Sequence, residues 1–140
     1  MANEATKILD GQKWGVSGNT NSNGQITKGT LMYLDDENNV FATTAQTRGG
    51  GTLSGAWGGI ATHDKASGAS RLSLDHSGVF DLKLAAGSLN LVAGDPVVFS
   101  GANTIDKATT GEISSGAHFG FSQAVATAGS AEVVRVEVFR

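Results

Sequence analysis

The sequence predicts an all-β fold, a single small β-barrel or β-sandwich with a flexible N-terminal arm. Three observations predict it. Gly is abundant, at 20 residues, while Pro occurs once. Short segments of alternating polarity recur along the chain, bounded by Gly, Asn, Asp and Ser. Helical signals are poor, and the best stretch, Leu82 to Asn90, is interrupted by Gly87. At 140 residues the chain is long enough for one core and too short for two independent ones.

Taken in order, Leu31 to Leu34 and Val40 to Ala42 flank Asp35-Asp36-Glu37-Asn38-Asn39, which has the composition of a hairpin turn. Trp57 to Thr62 forms the next strand. Arg71 to Asp75 sets Leu72 and Leu74 on one face, and Val79 to Leu84 sets Phe80, Leu82 and Leu84 opposite Asp81 and Lys83. Pro96 to Ser100 carries Val97 and Phe99, and His118 to Ser122 is expected to carry Phe119 and Phe121 on one face. The clearest strand is Glu132 to Phe139. There Val134, Val136 and Val138 point one way, and Val133, Arg135, Glu137 and Phe139 the other.

Two stretches have linker composition: Ser17 to Gly24, without an apolar residue, and Thr43 to Gly55, which contains Gly49-Gly50-Gly51. Residues 1–24 therefore read as an extended arm and residues 25–140 as the β-domain. Within the domain the chain echoes itself. Ile26 to Leu34 parallels Leu91 to Phe99, each an apolar residue, two further positions, Gly, a small polar residue and a strand. Ser54 to Ala61 parallels Ser115 to Ser122, and each is followed by a Gly-containing turn and an alternating strand. The offset of about 60 to 65 residues is too long for a solenoid repeat. It suggests two β-units of similar topology, residues 26–75 and 91–138, in one domain.

Composition narrows the chemistry. The formal net charge is −3 and Lys and Arg form no block, so nucleic acid is not an expected partner. Without Cys there are no disulfides or thiolate metal sites. No apolar run approaches the roughly 18 residues of a membrane span, and Met1 to Asp10 lacks the apolar region of a secretory signal, so synthesis in the cytosol and no membrane partner are expected. Lys28-Gly29-Thr30 has the wrong order for a phosphate-binding loop. His63, His76 and His118 are far apart in sequence. Asp35, Glu37 and Asn39 alternate but lack the central Gly and distal Glu of a calcium loop. Asp64, Asp75 and Asp81 read as isolated acids at strand ends. No catalytic, cofactor or metal site is expected. Trp57 reads as core or interface, and Trp14, with Tyr33 behind, is the remaining aromatic candidate. A carbohydrate-binding or adhesion module built on Trp14 or Trp57 is the alternative function.

The segment Ser77-Gly78-Val79-Phe80-Asp81-Leu82-Lys83-Leu84, then Gly94-Asp95-Pro96-Val97-Val98-Phe99, then Gly116-Ala117-His118-Phe119-Gly120-Phe121 and a closing Val134-Arg135-Val136 resembles the small phage proteins grouped as DUF2190, regarded as capsid cement or head decoration proteins. The resemblance covers about half the chain, from Ser77 to Arg140. It implies a structural role on the exterior of a bacteriophage capsid, the major capsid protein as partner, and self-association, often as a homotrimer. On that reading the arm lies along the capsid, with Ile8, Leu9, Trp14 and Val16 as its contacts.

Overall fold

The structure, a computed structural model, describes residues 6–10, 13–19, 25–36, 39–43, 57–67, 71–85, 89–127 and 133–138. The all-β expectation holds. In chain order the strands are β1 (Thr6–Asp10), β2 (Lys13–Asn19), β3 (Leu31–Asp36), β4 (Asn39–Ala42), β5 (Trp57–Ala61), β6 (Arg71–Asp75), β7 (Gly78–Lys83), β8 (Pro96–Phe99) and β9 (Ile105–Lys107). A one-turn helix α1 (Thr110–Ser114), β10 (Gly120–Ser122) and β11 (Val133–Val138) follow.

The strands make two sheets with one connectivity. The first runs β4-β3-β5-β6-β2, and the second runs β9-β8-β10-β11-β7 with β1 added outside β7. Strand for strand, β2 to β6 repeat as β7 to β11. Each sheet curls until its ends touch at one parallel residue pair, Asn19 with Asn39 in the first and Leu84 with Ile105 in the second. Such a seam is far shorter than a ladder, so each unit is a rolled sheet and not a barrel closed by continuous pairing.

The repetition extends to single hydrogen bonds. Ile26 bridges Lys65, and Leu91 bridges Ala126. Thr30 N–H donates to Thr27 O, and Asp95 N–H to Val92 O. Gly29 N–H donates to Ala61 O and Ala61 N–H to Thr30 O; Gly94 N–H donates to Ser122 O and Ser122 N–H to Asp95 O. Gly29 and Gly94 both sit at positive φ, 84° and 92°, which only Gly adopts at no steric cost. Gly59 and Gly120 are likewise equivalent. A Cβ on Gly59 would stand 2.9 Å from Leu74 Cβ and 3.1 Å from Asp75 O, and one on Gly120 would stand 2.9 Å from Val136 Cγ1 and 2.6 Å from Glu137 O. Both strands therefore approach their neighbour closer than any side chain permits.

Apolar alternation explains the interiors. Ile26, Met32, Val40, Ala61, Leu72 and Leu74 form a cluster inside the first roll. Their counterparts Leu91, Val97, Ile105, Val134 and Val136 lie inside the second, with Phe80, Leu82, Phe99 and Phe119. The second cluster also takes in Leu31, Trp57 and Ile60 from the first unit, so the joint between units is part of the main core. Trp57 stacks on Phe119 at 4.6 Å and on Phe99 at 5.8 Å, and its indole N–H donates to His76 O at 2.8 Å. Such stacks add about 0.5–1.5 kcal/mol beyond burial. A polar clasp supports the joint: Leu31 N–H donates to Asn103 Oδ1, Asn103 N–H to Thr43 Oγ1, and Thr43 N–H to Leu31 O.

Three features depart from the sequence reading. Phe119 is fully buried but Phe121 is 40% exposed, so they do not share a face. The cause is an extra residue at the strand entrance: Phe119 N–H donates to Val97 O, and Gly120 also pairs with Val97, so two residues face one and the alternation flips. The short β9 and helix α1 are additional elements. The helix starts where Thr109 and Glu112 cap it reciprocally, a Thr-x-x-Glu box visible in the sequence. The segment expected as an arm is extended and contributes β1 and β2, which pair antiparallel with β7 and β6. The loop expected from Thr43 to Gly55 lies outside the described residues after Thr43, as does the hairpin tip at 37–38.

Candidate interaction surface

The outer face of β10, β11 and β7 is where the described molecule is least like an ordinary solvated sheet. In β11 the burial alternates strictly, with Val134, Val136 and Val138 inside and Val133, Arg135 and Glu137 outside. Phe121 lies directly across from Glu137, and Arg135 across from Asp81. The Arg135 guanidinium donates to both Asp81 oxygens, from Nε at 3.0 Å and Nη2 at 3.4 Å. That hydrogen bonding, with the carboxylate charge, raises the Arg135 pKa above its ordinary value. Gln123 Nε2 donates to Glu137 Oε2 at 3.4 Å. Asp81, Gln123, Ala124, Val133 and Arg135 together line an open groove of about 530 Å³.

Exposed apolar side chains occur on the same unit, with Val133 among the groove-lining residues. Val125 is 74% exposed, Val133 63% and Val92 52%. Among the residues whose burial is described, every exposed large hydrophobic, from Leu89 to Val133, belongs to the second unit. The positions equivalent to Gln123, Val125 and Arg135 in the first unit are Thr62, Asp64 and Ser73, all polar. Val92 is held out by its turn, where Asp95 Oδ2 accepts from Val92 N–H at 2.9 Å and meets Lys107 Nζ at 3.0 Å. Burial alone would raise the Asp95 pKa, but the hydrogen bonds from Val92 and Lys107 outweigh it and hold the carboxyl below its usual range.

The residues singled out from the sequence fall elsewhere. Ile8 and Leu9 are on β1, where Leu9 pairs with Val79 and Ile8 sits at a register irregularity. Trp14 and Val16 are on β2, where Trp14 pairs with Leu74 and Val16 sits within a second irregularity. Two sheets thus share the four positions. Trp14 opposite Leu74 is the register counterpart of Phe80 opposite Val136. Trp57, at 5% exposed and stacked on two Phe rings, offers no platform for a sugar.

The remaining candidates for chemistry are dispersed. His63 Nδ1 lies 3.2 Å from Thr62 Oγ1, His76 follows β6, and the His118 ring lies 6.0 Å from that of Phe121. Asp64 Oδ1 accepts from Lys28 N–H in a turn, and Asp81 is taken up by Arg135. Among the described residues no group of three His, Asp or Glu side chains could hold a metal ion. No helix among them is long and apolar enough to cross a membrane.

Two rolled sheets of one connectivity define a small all-β protein of duplicated design. The model of the phage cement protein family matches residues 41–138, more than half of the chain, and the protein belongs to that family. A comparison with curated protein sequences returned no match. The family is structural, and membership implies a place on the phage capsid.

Proposed function

We propose that this protein binds the outside of a phage head at junctions between capsid subunits and stabilises the shell, with the major capsid protein as partner and a homotrimer as the binding unit. The family match carries this reading. The exposed Val133 beside the Asp81–Arg135 pair, with Val92 and Val125 also exposed on the same unit, supports it, because exposed apolar side chains suit a partner surface better than water. Repeating one weak contact through symmetry multiplies it by avidity, and binding only the assembled shell stabilises that shell by mass action. Ile8, Leu9, Trp14 and Val16 are proposed as additional capsid contacts, reached where β1 and β2 meet a neighbouring edge. Neither nucleic acid nor membrane enters this mechanism, in keeping with the net charge of −3.

Co-sedimentation with expanded heads tests the proposal. The double variant Val125→Ser/Val133→Ser should keep its circular dichroism and lose about tenfold or more in affinity for heads. Because β2 pairs with β6, the informative truncation stops before Lys13. Removing residues 1–10 should weaken binding without unfolding the first unit. Undiminished occupancy by both variants would overturn the assigned contacts, and failure of the intact protein to bind any head would overturn the function.

A further inference from the structure

The joint inside the molecule shows how one unit of this fold receives another. Leu31, Trp57 and Ile60, on neighbouring strands β3 and β5, are buried in the core of the second unit. The repeated register assigns each a counterpart. Leu31 pairs with Ile60 as Pro96 pairs with Phe121, and Trp57 precedes Ile60 as His118 precedes Phe121. The same face of the second unit, however, lies at the surface. Pro96 and His118 are half-buried, Phe121 is 40% exposed, and the His118 and Phe121 rings lie side by side.

We infer that Pro96, His118 and Phe121 form the interface at which a second copy of this chain docks, head to tail, with its first unit against this face. The occupant follows from the fold. Among the described residues the surface that accepts this face is a rolled sheet of the same connectivity, and a second copy supplies another such sheet. The first unit's own version of the face is already buried within its chain, so the contact joins unlike surfaces. A contact of that kind closes into a ring when its rotation permits. The inference rests on the self-assembling cement reading and extends it by naming the face that assembles.

Analytical ultracentrifugation of the full chain over a wide concentration range tests it. Phe121→Ser should raise the concentration for half-assembly by about tenfold or more, with the unfolding temperature of the dilute chain unchanged. Val125→Ser, on the same outer surface but outside the trio, should assemble as the unaltered protein does. Normal assembly of Phe121→Ser, or an unaltered protein that stays monomeric throughout, would overturn the inference. A disulfide-linked dimer formed through Phe121→Cys alone would overturn the head-to-tail arrangement. Should Phe121→Ser assemble normally yet fail to bind heads, the face belongs to the capsid; this inference then fails while the cement function stands.

Discussion

In the first unit Trp57 leaves its own roll and stacks on Phe99 and Phe119 of the second, whereas His118 holds the same register position in the second unit beside a solvent-exposed Phe121. Around that difference the backbone is repeated bond for bond. Four interior positions stay apolar in both units, Met32, Val40, Leu72 and Leu74 in one and Val97, Ile105, Val134 and Val136 in the other, while the interior Ala61 gives way to a buried Ser122. Outer positions diverge, with Thr62, Asp64 and Ser73 against Gln123, Val125 and Arg135. Interior pattern and turn geometry suffice to specify the roll. The outer face is left open to differ: it is buried against the sister unit at Trp57 and Ile60 and exposed at Phe121.

Breaking the joint should have the largest effect. Trp57→Ala removes the stacked indole and opens a cavity against Phe99 and Phe119, at a cost of about 3–5 kcal/mol in urea denaturation. The matching His118→Ala should change stability by less than about 1 kcal/mol. Similar losses at the two positions would show that the units are not joined through Trp57.

The clasp should matter less. Leu31 N–H is satisfied by Asn103 Oδ1, while the counterpart of Leu31 is Pro96, which has no N–H to satisfy. Asn103 itself holds a φ of 56°, a conformation Gly accepts readily. Asn103→Gly therefore isolates the lost acceptor and should cost about 1–3 kcal/mol. Asn103→Ala should cost more, by the added backbone strain. Equal denaturation midpoints for the two variants would remove the strain component.

The smallest effect is a pH dependence. His76 is half-buried, and its Nε2 is enclosed without a hydrogen-bond partner among the described residues. Burial lowers its pKa below 6.5, partly offset by the Asp75 charge. With the folded value below the unfolded one, the unfolded chain takes up the proton first as pH falls. Stability should be full above about pH 6.5 and decline from there downward through the folded pKa. The second unit has Val138 at this position. His76→Val should flatten the melting temperature between pH 5 and 7, and an unchanged slope would assign the dependence to another group.

Much of this architecture was legible in the sequence because strands announce their buried face. The alternation at Val133 to Val138 and the pairs Leu72/Leu74 and Phe80/Leu82 appear as expected. The echo between Ile26–Leu34 and Leu91–Phe99 was legible because both turns need Gly at positive φ. What could not be read was set by tertiary pairing. An extra residue at Val97 turned Phe121 outward, and nothing local marks it. Trp57 could be assigned to core or interface, and it is both, since its stacking partners lie some 40 and 60 residues further along the chain. The exposure of Val125 has no local signal, although Val133 alternates away from Val134 and Val136. A single outward Val is ordinary. Helix α1 does have a local signal, since Thr109 and Glu112 carry the capping signature.

The seams have a mechanical corollary. Each roll is fastened at one residue pair, Asn19 with Asn39 and Leu84 with Ile105, while its remaining neighbours are held by multi-residue ladders. Parting a seam breaks few backbone hydrogen bonds, but Leu84 and Ile105 are both fully buried, so at the second seam it would also open the core. The second hoop is therefore locked by its filling more than by its stitching, and it opens only if its apolar interior opens with it.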